Sequence, residues 1–210
     1  MIQTDRHLVP SQVNNIMQGM IVGSLGLVDA KGVPLPNAPS AVRIGWPTGG
    51  APSWAITDDI CFILATEDDD DYNLLREVSE IDNDPPTTIT EQTTYTSVWA
   101  IHLCLYGPNS SDIARRIKSS LFQQSTHDVL AGNNPYGGVL YLITNVPRPI
   151  RAPELFAGEW WERVDFTFRL NESVIENSVV NAVKSAEVKV YNEDSLLIDN
   201  PVVDINVVGG

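Results

Sequence analysis

The densest concentration of reactive side chains in this sequence is acidic. Between Asp58 and Glu91 stand twelve Asp and Glu residues against one base, Arg76, and Asp68, Asp69, Asp70 and Asp71 are consecutive. Hard divalent cations favour several carboxylate oxygens, so a cation site is the chemistry such a run could perform. Two features oppose it. Consecutive side chains cannot all aim at one point, and the spaced acidic loop with its central glycine is absent. The competing reading is a solvated loop whose like charges repel one another. That reading is adopted, and no metal is expected.

The remaining candidates for chemistry do not converge. His7, His102 and His127 sit in an N-terminal arm, in a strand and near a helix end, and none has a second histidine or cysteine at ligand spacing. There is no G-x-S-x-G elbow, no P-loop and no dinucleotide fingerprint after a strand. The glycine pairs at 49–50 and 137–138 lack the lysine or helix start of a phosphate loop. Catalysis needs a convergent set of reactive groups, so no enzyme and no cofactor are expected.

Composition narrows the class further. Of 210 residues, 43% are hydrophobic, enough for a buried core, and 19% are charged. The formal net charge of −14 opposes a sequence-reading DNA binder, which needs a basic face. It suits a passage through which DNA slides, where negative charge repels phosphate. Cys61 and Cys104 each lie in an apolar run and read as buried thiols, with a disulfide open if their strands pair. The first residues lack the pattern of a signal peptide, and no stretch approaches a membrane span. A soluble protein made in the cytoplasm is expected.

The elements that must position these residues follow from periodicity. Residues 1–10 read as an arm. Ser11 is a plausible helix cap, followed by Val13, Ile16, Met17, Met20 and Ile21 at helical spacing, with Gly19, Gly23 and Gly26 weakening the helix. A proline-rich link spans 30–40, a strand spans 41–46, and 47–54 is loop. Residues 60–65 form a short apolar run expected to be buried on both faces. The acidic, threonine-rich stretch 66–97 reads as an inserted loop or hairpin.

Val98–Tyr106 is the clearest strand, with Trp99, Ile101, Leu103 and Leu105 on one face and Ala100, His102 and Cys104 on the other. Tyr95 and its neighbouring threonines suggest an earlier start. Asn109 is placed to cap a helix with Asp112 at the capping-box position. Ile113, Ile117 and Leu121 form that helix's apolar face. Arg115, Arg116 and Lys118 cover its other faces, and the two arginines are candidates to contact a neighbouring subunit or an acidic loop. Residues 139–146 read as a strand. Val164, Phe166, Phe168 and Leu170 alternate in another, which 171–181 would turn into a hairpin with 182–191. The tail, 193–210, is apolar in patches. It suits strand addition to a neighbour, or an unstructured chain end.

The second half has a recognisable order: a strand ending Tyr106-Gly107-Pro108-Asn109, the helix SSDIARRIKSSLF, a strand, a proline-containing loop, then LFAGEWWERVDFTFRL at 155–170. This resembles the phage neck terminator family. Gly107, Asp112, Ala114, Ile117 and Lys118 match its helix pattern. Trp161, Glu162, Arg163, Asp165, Phe166, Phe168 and Leu170 match its W-E-x-R strand pattern closely or within a residue. The likeness covers about 95–190. It does not extend to the N-terminal arm, the acidic 66–92 insertion or the C-terminal arm.

The resemblance implies a tail-terminator-like α+β domain over 11–192. Its sheet would be mixed and mostly antiparallel, flanked by helices, with extended N- and C-terminal arms. It also implies a virion structural protein, assembled in the host cytoplasm, whose copies form a hexameric ring. The implied partners are the tail-tube protein and neck or connector proteins, with the sheath as a further candidate, DNA passing through and no membrane. Six copies at −14 each would carry −84. Asp68–Asp71, Arg115, Arg116, Trp161 and Arg163 are the candidate interface or lumen residues. Another connector protein or a tube protein is the alternative within the particle. A metal-dependent enzyme using Asp58–Asp71 is the remote one.

Overall fold

Alternating apolar residues in the second half build a sheet around two exceptionally long strands. The structure, a computed structural model, describes residues 4–45, 54–83 and 88–181. The helices are α1 (Pro10–Ser24), α2 (Ala38–Ala41), α3 (Ser110–Ser120) and α4 (Gln124–Leu130). The strands are β1 (Val42–Ile44), β2 (Ile60–Glu67), β3 (Arg76–Asp82), β4 (Thr88–Tyr106), β5 (Leu140–Leu142), β6 (Ile150–Arg151), β7 (Glu154–Phe156), β8 (Glu159–Trp161) and β9 (Arg163–Asn181). The end of the 41–46 strand, most of the 47–54 loop, the 182–191 strand and the 193–210 arm lie outside the described residues.

The main sheet runs β1-β2-β4-β9-β5, with β3 on β4 and β6 on β9. Among the described strands of this sheet only β1–β2 is parallel; the other pairings are antiparallel. The fold is thus α+β with a mixed, mostly antiparallel sheet. β4 and β9, 19 residues each, pair throughout from Thr88↔Asn181 to Tyr106↔Arg163. At ~3.3 Å per residue this ribbon is about 60 Å long.

One face of the ribbon carries Trp99, Ile101, Leu103 and Leu105 beside Val164, Phe166, Phe168 and Leu170, all buried. α1, α3 and α4 cover this face, contributing Val13, Met17, Ile21, Ile117 and Leu130, with Leu121 directly after α3. α1 starts at Pro10, one residue ahead of the expected cap. Val9 takes that role, its N–H donating to Gln12 Oε1 at 3.0 Å. The buried Asn14 accepts a 2.8 Å hydrogen bond from the Ala65 amide of β2, a donor beyond the reach of the short β1.

Several expectations change. β9 does not turn at 171–181 but continues to Asn181. Here Val174 follows Leu170 on the inner face, and Glu172 occupies the position between them. That acid broke the apolar alternation from which the strand's end was read. The 139–146 strand shortens to Leu140–Leu142. Within 66–97, β2 extends to Glu67, a 3-10 turn covers Asp71–Leu74, and β3 pairs with the first half of β4. Asn109 does occupy the cap position of α3, but its side chain makes no cap bond. It donates to Asp59 Oδ2 at 2.8 Å, while Asp112 faces Arg115.

β2 and β4 pair, but their register sets Cys61 against Leu105 and Phe62 against Cys104. Successive residues point to opposite faces, so the two sulfurs lie on opposite sides of the sheet, both buried and free. Burial pushes Cys104 up to about 12 and Cys61 higher still. Both thiols are therefore expected to be silent toward a thiol reagent in the folded protein. They should react together on unfolding in denaturant, which a colorimetric titration would read.

Gly107 joins β4 to α3 at φ +108°, and a Cβ there would stand 2.5 Å from the Asp58 carbonyl and 2.8 Å from the Asp59 Cα. Gly107→Ala is expected to cost about 3 kcal/mol in a urea unfolding experiment, from backbone strain and a clash with main chain.

Candidate interface surfaces

The family-like residues of the second half divide between holding the domain together and presenting charge. Ala114 and Ile117 are fully buried in the helix-covered core. Lys118 reaches back to donate to the carbonyls of Val146 and Pro147, each at 3.0 Å, pinning the proline-rich loop to α3.

On the opposite face, Trp54, Phe62, Tyr106 and Trp161 form an aromatic cluster with Ile60 and Cys104. Trp54 lies 5.1 Å from Phe62 and 5.5 Å from Tyr106, and Trp161 meets Tyr106 edge-on at 6.4 Å. Tilted and edge-on pairings are the preferred aromatic geometries. Trp161 is 9% exposed, whereas its neighbour Trp160 is 68% exposed. On the β7–β8 hairpin Trp160 pairs with Leu155, itself 60% exposed.

Arg163 binds Asp165 through two bonds of 2.8 and 3.1 Å and Glu154 at 2.7 Å. It thereby fastens β7 to β9, and these carboxylates hold its guanidinium above its ordinary range. Glu154 also accepts from Tyr106 Oη at 3.1 Å. Burial raises the Tyr106 hydroxyl above its ordinary range.

The acidic run is not the free loop expected. Asp68 and Asp70 both accept from Arg169 of β9, at 2.5 and 2.6 Å, while Asp69 and Asp71 are exposed. Just past the end of β2, the one guanidinium meets both carboxylates. Asp58 accepts from the Ala55 amide, and Asp59 from the amide and side chain of Asn109. Among the described residues, no three His, Cys, Asp or Glu side chains gather where they could hold a metal ion. No described helix is long and apolar enough to cross a membrane.

Arg115 and Arg116 form no ion pair with Asp68–Asp71 among the described residues, where Arg169 is the partner of Asp68 and Asp70. Arg115 meets Asp112 at 3.5 Å, both side chains more than three-quarters exposed, a pair worth little in water. Arg116 lines a cleft of about 300 Å³ with Asp59 and Asp112.

Two features escaped the sequence. The first is Glu172, fully buried, whose carboxylate accepts from the Leu8 amide at 2.6 Å and Trp99 Nε1 at 2.7 Å. Burial raises it above the usual carboxylate range, against the downward pull of these bonds and of His7. Its signal was a lone acid in an inward series. The second is a cleft of about 480 Å³ in which Arg115 and Lys118 of α3 face Arg148 and Arg151. Roughly thirty residues separate the two pairs in sequence, so no local pattern announced it.

A family model described as Phage neck terminator protein matches residues 11–194. No curated protein matches the chain.

Proposed function

The chain belongs to the phage neck terminator family, a structural family of the phage neck, and from that premise we propose that its copies close a ring, six in number, on the end of the tail tube. In this reading the ring stops tube growth, offers its other side to the neck or connector and leaves a passage for DNA. The protein is built into the virion after assembly in the host cytoplasm.

One observation supports this reading above the others. The sheet runs well past its helical cover: β3 is exposed along nearly its whole length, and the end of β9 carries Val179 at 66% exposure. This three-stranded extension leaves apolar Val78 on one face and Val179 on the other at 61% and 66% exposure, without cover from the described residues. Projecting extensions of this kind suit contacts between copies. A head-to-tail contact that closes after a fixed rotation gives a ring, and one that does not gives a filament. The net charge of −14 per copy suits a wall past which DNA slides, with the 66–92 segment as the candidate for the lumen or the partner-facing rim.

The test adds purified protein to tail-tube subunits as they polymerise. Growth is expected to stop early, with each tube capped at one end in electron micrographs. Unchanged tube lengths with bare ends would overturn the proposal. Filaments made of this chain alone would assign it to the tube instead.

A further inference from the structure

Strand parity places a set of acids together on the projecting arm. Glu80 of β3 stands directly opposite Glu91 of β4, and Thr93, two residues on, stands opposite Glu176 of β9. Asp82 shares this face, which continues the helix-covered side of the sheet past the last helix. Like charges facing each other across an antiparallel pair destabilise it, and Arg76 is the only base in the described strands of the arm, stacked over Tyr95, whose hydroxyl donates to Glu176. Among the described residues no cation pairs with Glu80 or Glu91, so the arm carries a charge arrangement open to a partner.

The complementary charge lies at the other end of the same ribbon. The cleft of Arg115, Lys118, Arg148 and Arg151 opens beside Val164 of β9. Four of the chain's thirteen bases meet there. Glu162 pairs with Arg151 and Asp112 with Arg115, both at exposed positions. Among the described residues Arg148 has no acidic partner.

Twelve residues of extended strand separate Val164 from Glu176, about 40 Å at ~3.3 Å per residue. Because β4 and β9 pair along their full length, the ribbon cannot fold back to join its own ends. We infer that the acidic arm of one copy, through Glu80, Glu91 and Glu176, docks into the cationic cleft of the next. This rests on the ring reading and supplies its contact: two different patches of one chain, joined head to tail.

The test uses two charge reversals of the full chain, Glu80→Lys/Glu91→Lys and Arg115→Glu/Arg148→Glu, each checked for native circular dichroism. In sedimentation velocity at low salt the wild type is expected to self-associate, and added salt should weaken that association by screening. Each reversed variant alone presents like against like and should associate about a hundredfold more weakly. Mixed in equal amounts, the two variants complement each other at both contacts and should co-assemble.

Folded variants that associate as the wild type does, or whose mixture does not co-assemble, overturn the contact while leaving a wild-type ring in place. A wild type that stays monomeric both alone and on tube ends overturns the contact and the ring together. If reversing Arg115 and Arg148 abolishes retention on duplex DNA and leaves self-association unchanged, the cleft binds phosphate and the contact is refuted.

Discussion

Glu172→Ala is expected to lower the unfolding free energy by about 3 kcal/mol, as large a loss as that expected of Gly107→Ala. The Leu8 amide and the Trp99 indole both donate to this one carboxylate inside the protein. Removing it leaves two buried donors without an acceptor, at ~1–3 kcal/mol each. Part of that loss is returned because a buried charge disappears with the side chain. Glu172→Gln, with one acceptor oxygen in place of two, should fall between wild type and alanine.

The pH dependence follows from the direction of the shift. Burial raises the folded-state value of Glu172 above its unfolded one. The unfolded chain therefore releases this proton first. The group's contribution to stability is fully present below the unfolded value, near ~4.3, and is lost as pH rises through the folded value. Urea unfolding across that window should show the wild type losing stability that Glu172→Gln does not lose.

The consequence reaches the N-terminal arm. Leu8 is buried against Gly138, and Arg6 pairs with Ile175 through two backbone bonds of 2.8 and 2.9 Å. Arg6 also holds Ser173, and Asp5 accepts from the Asn177 amide. Loss of the Glu172 anchor is thus expected to loosen residues 5–8 first, which hydrogen exchange at the Leu8 amide would detect.

The second large effect is on the particle. A phage in which translation of this chain stops early is expected to lose infectivity by several orders of magnitude. If the chain ends the tube and joins it to the neck, its absence should leave filled heads and separate tails, with tubes of irregular length. Supplying the protein in trans should restore joined particles. Normal joined particles in its absence would remove the proposed role.

The sequence exposed the core more readily than the sites. Alternation at Trp99–Leu105 and Val164–Leu170 marked both faces of the central pair, because a half-buried strand must alternate. It failed where a functional or structural demand overrode the pattern. Glu172 at an inward position hid eleven further residues of β9. Asn109 looked like a cap because it is the right residue type in the right place, but Asp59, fifty residues earlier, takes its side chain. The fate of Cys61 and Cys104 depended on a register that no local signal encodes. Asp68–Asp71 read as a bare charge run because Arg169, its partner, lies about a hundred residues away. The family pattern, by contrast, was legible at Gly107, where backbone crowding admits only glycine, and at Phe166 and Phe168 in the core.

The most direct measurement is a density map of the intact neck at side-chain resolution. The account predicts six copies of this chain encircling the DNA axis at the end of the tube. Each arm, carrying Glu80 and Glu91, should lie against Arg148 of the next copy. A map in which this chain is absent from the junction, or present as isolated copies that touch neither one another nor the tube, would contradict it.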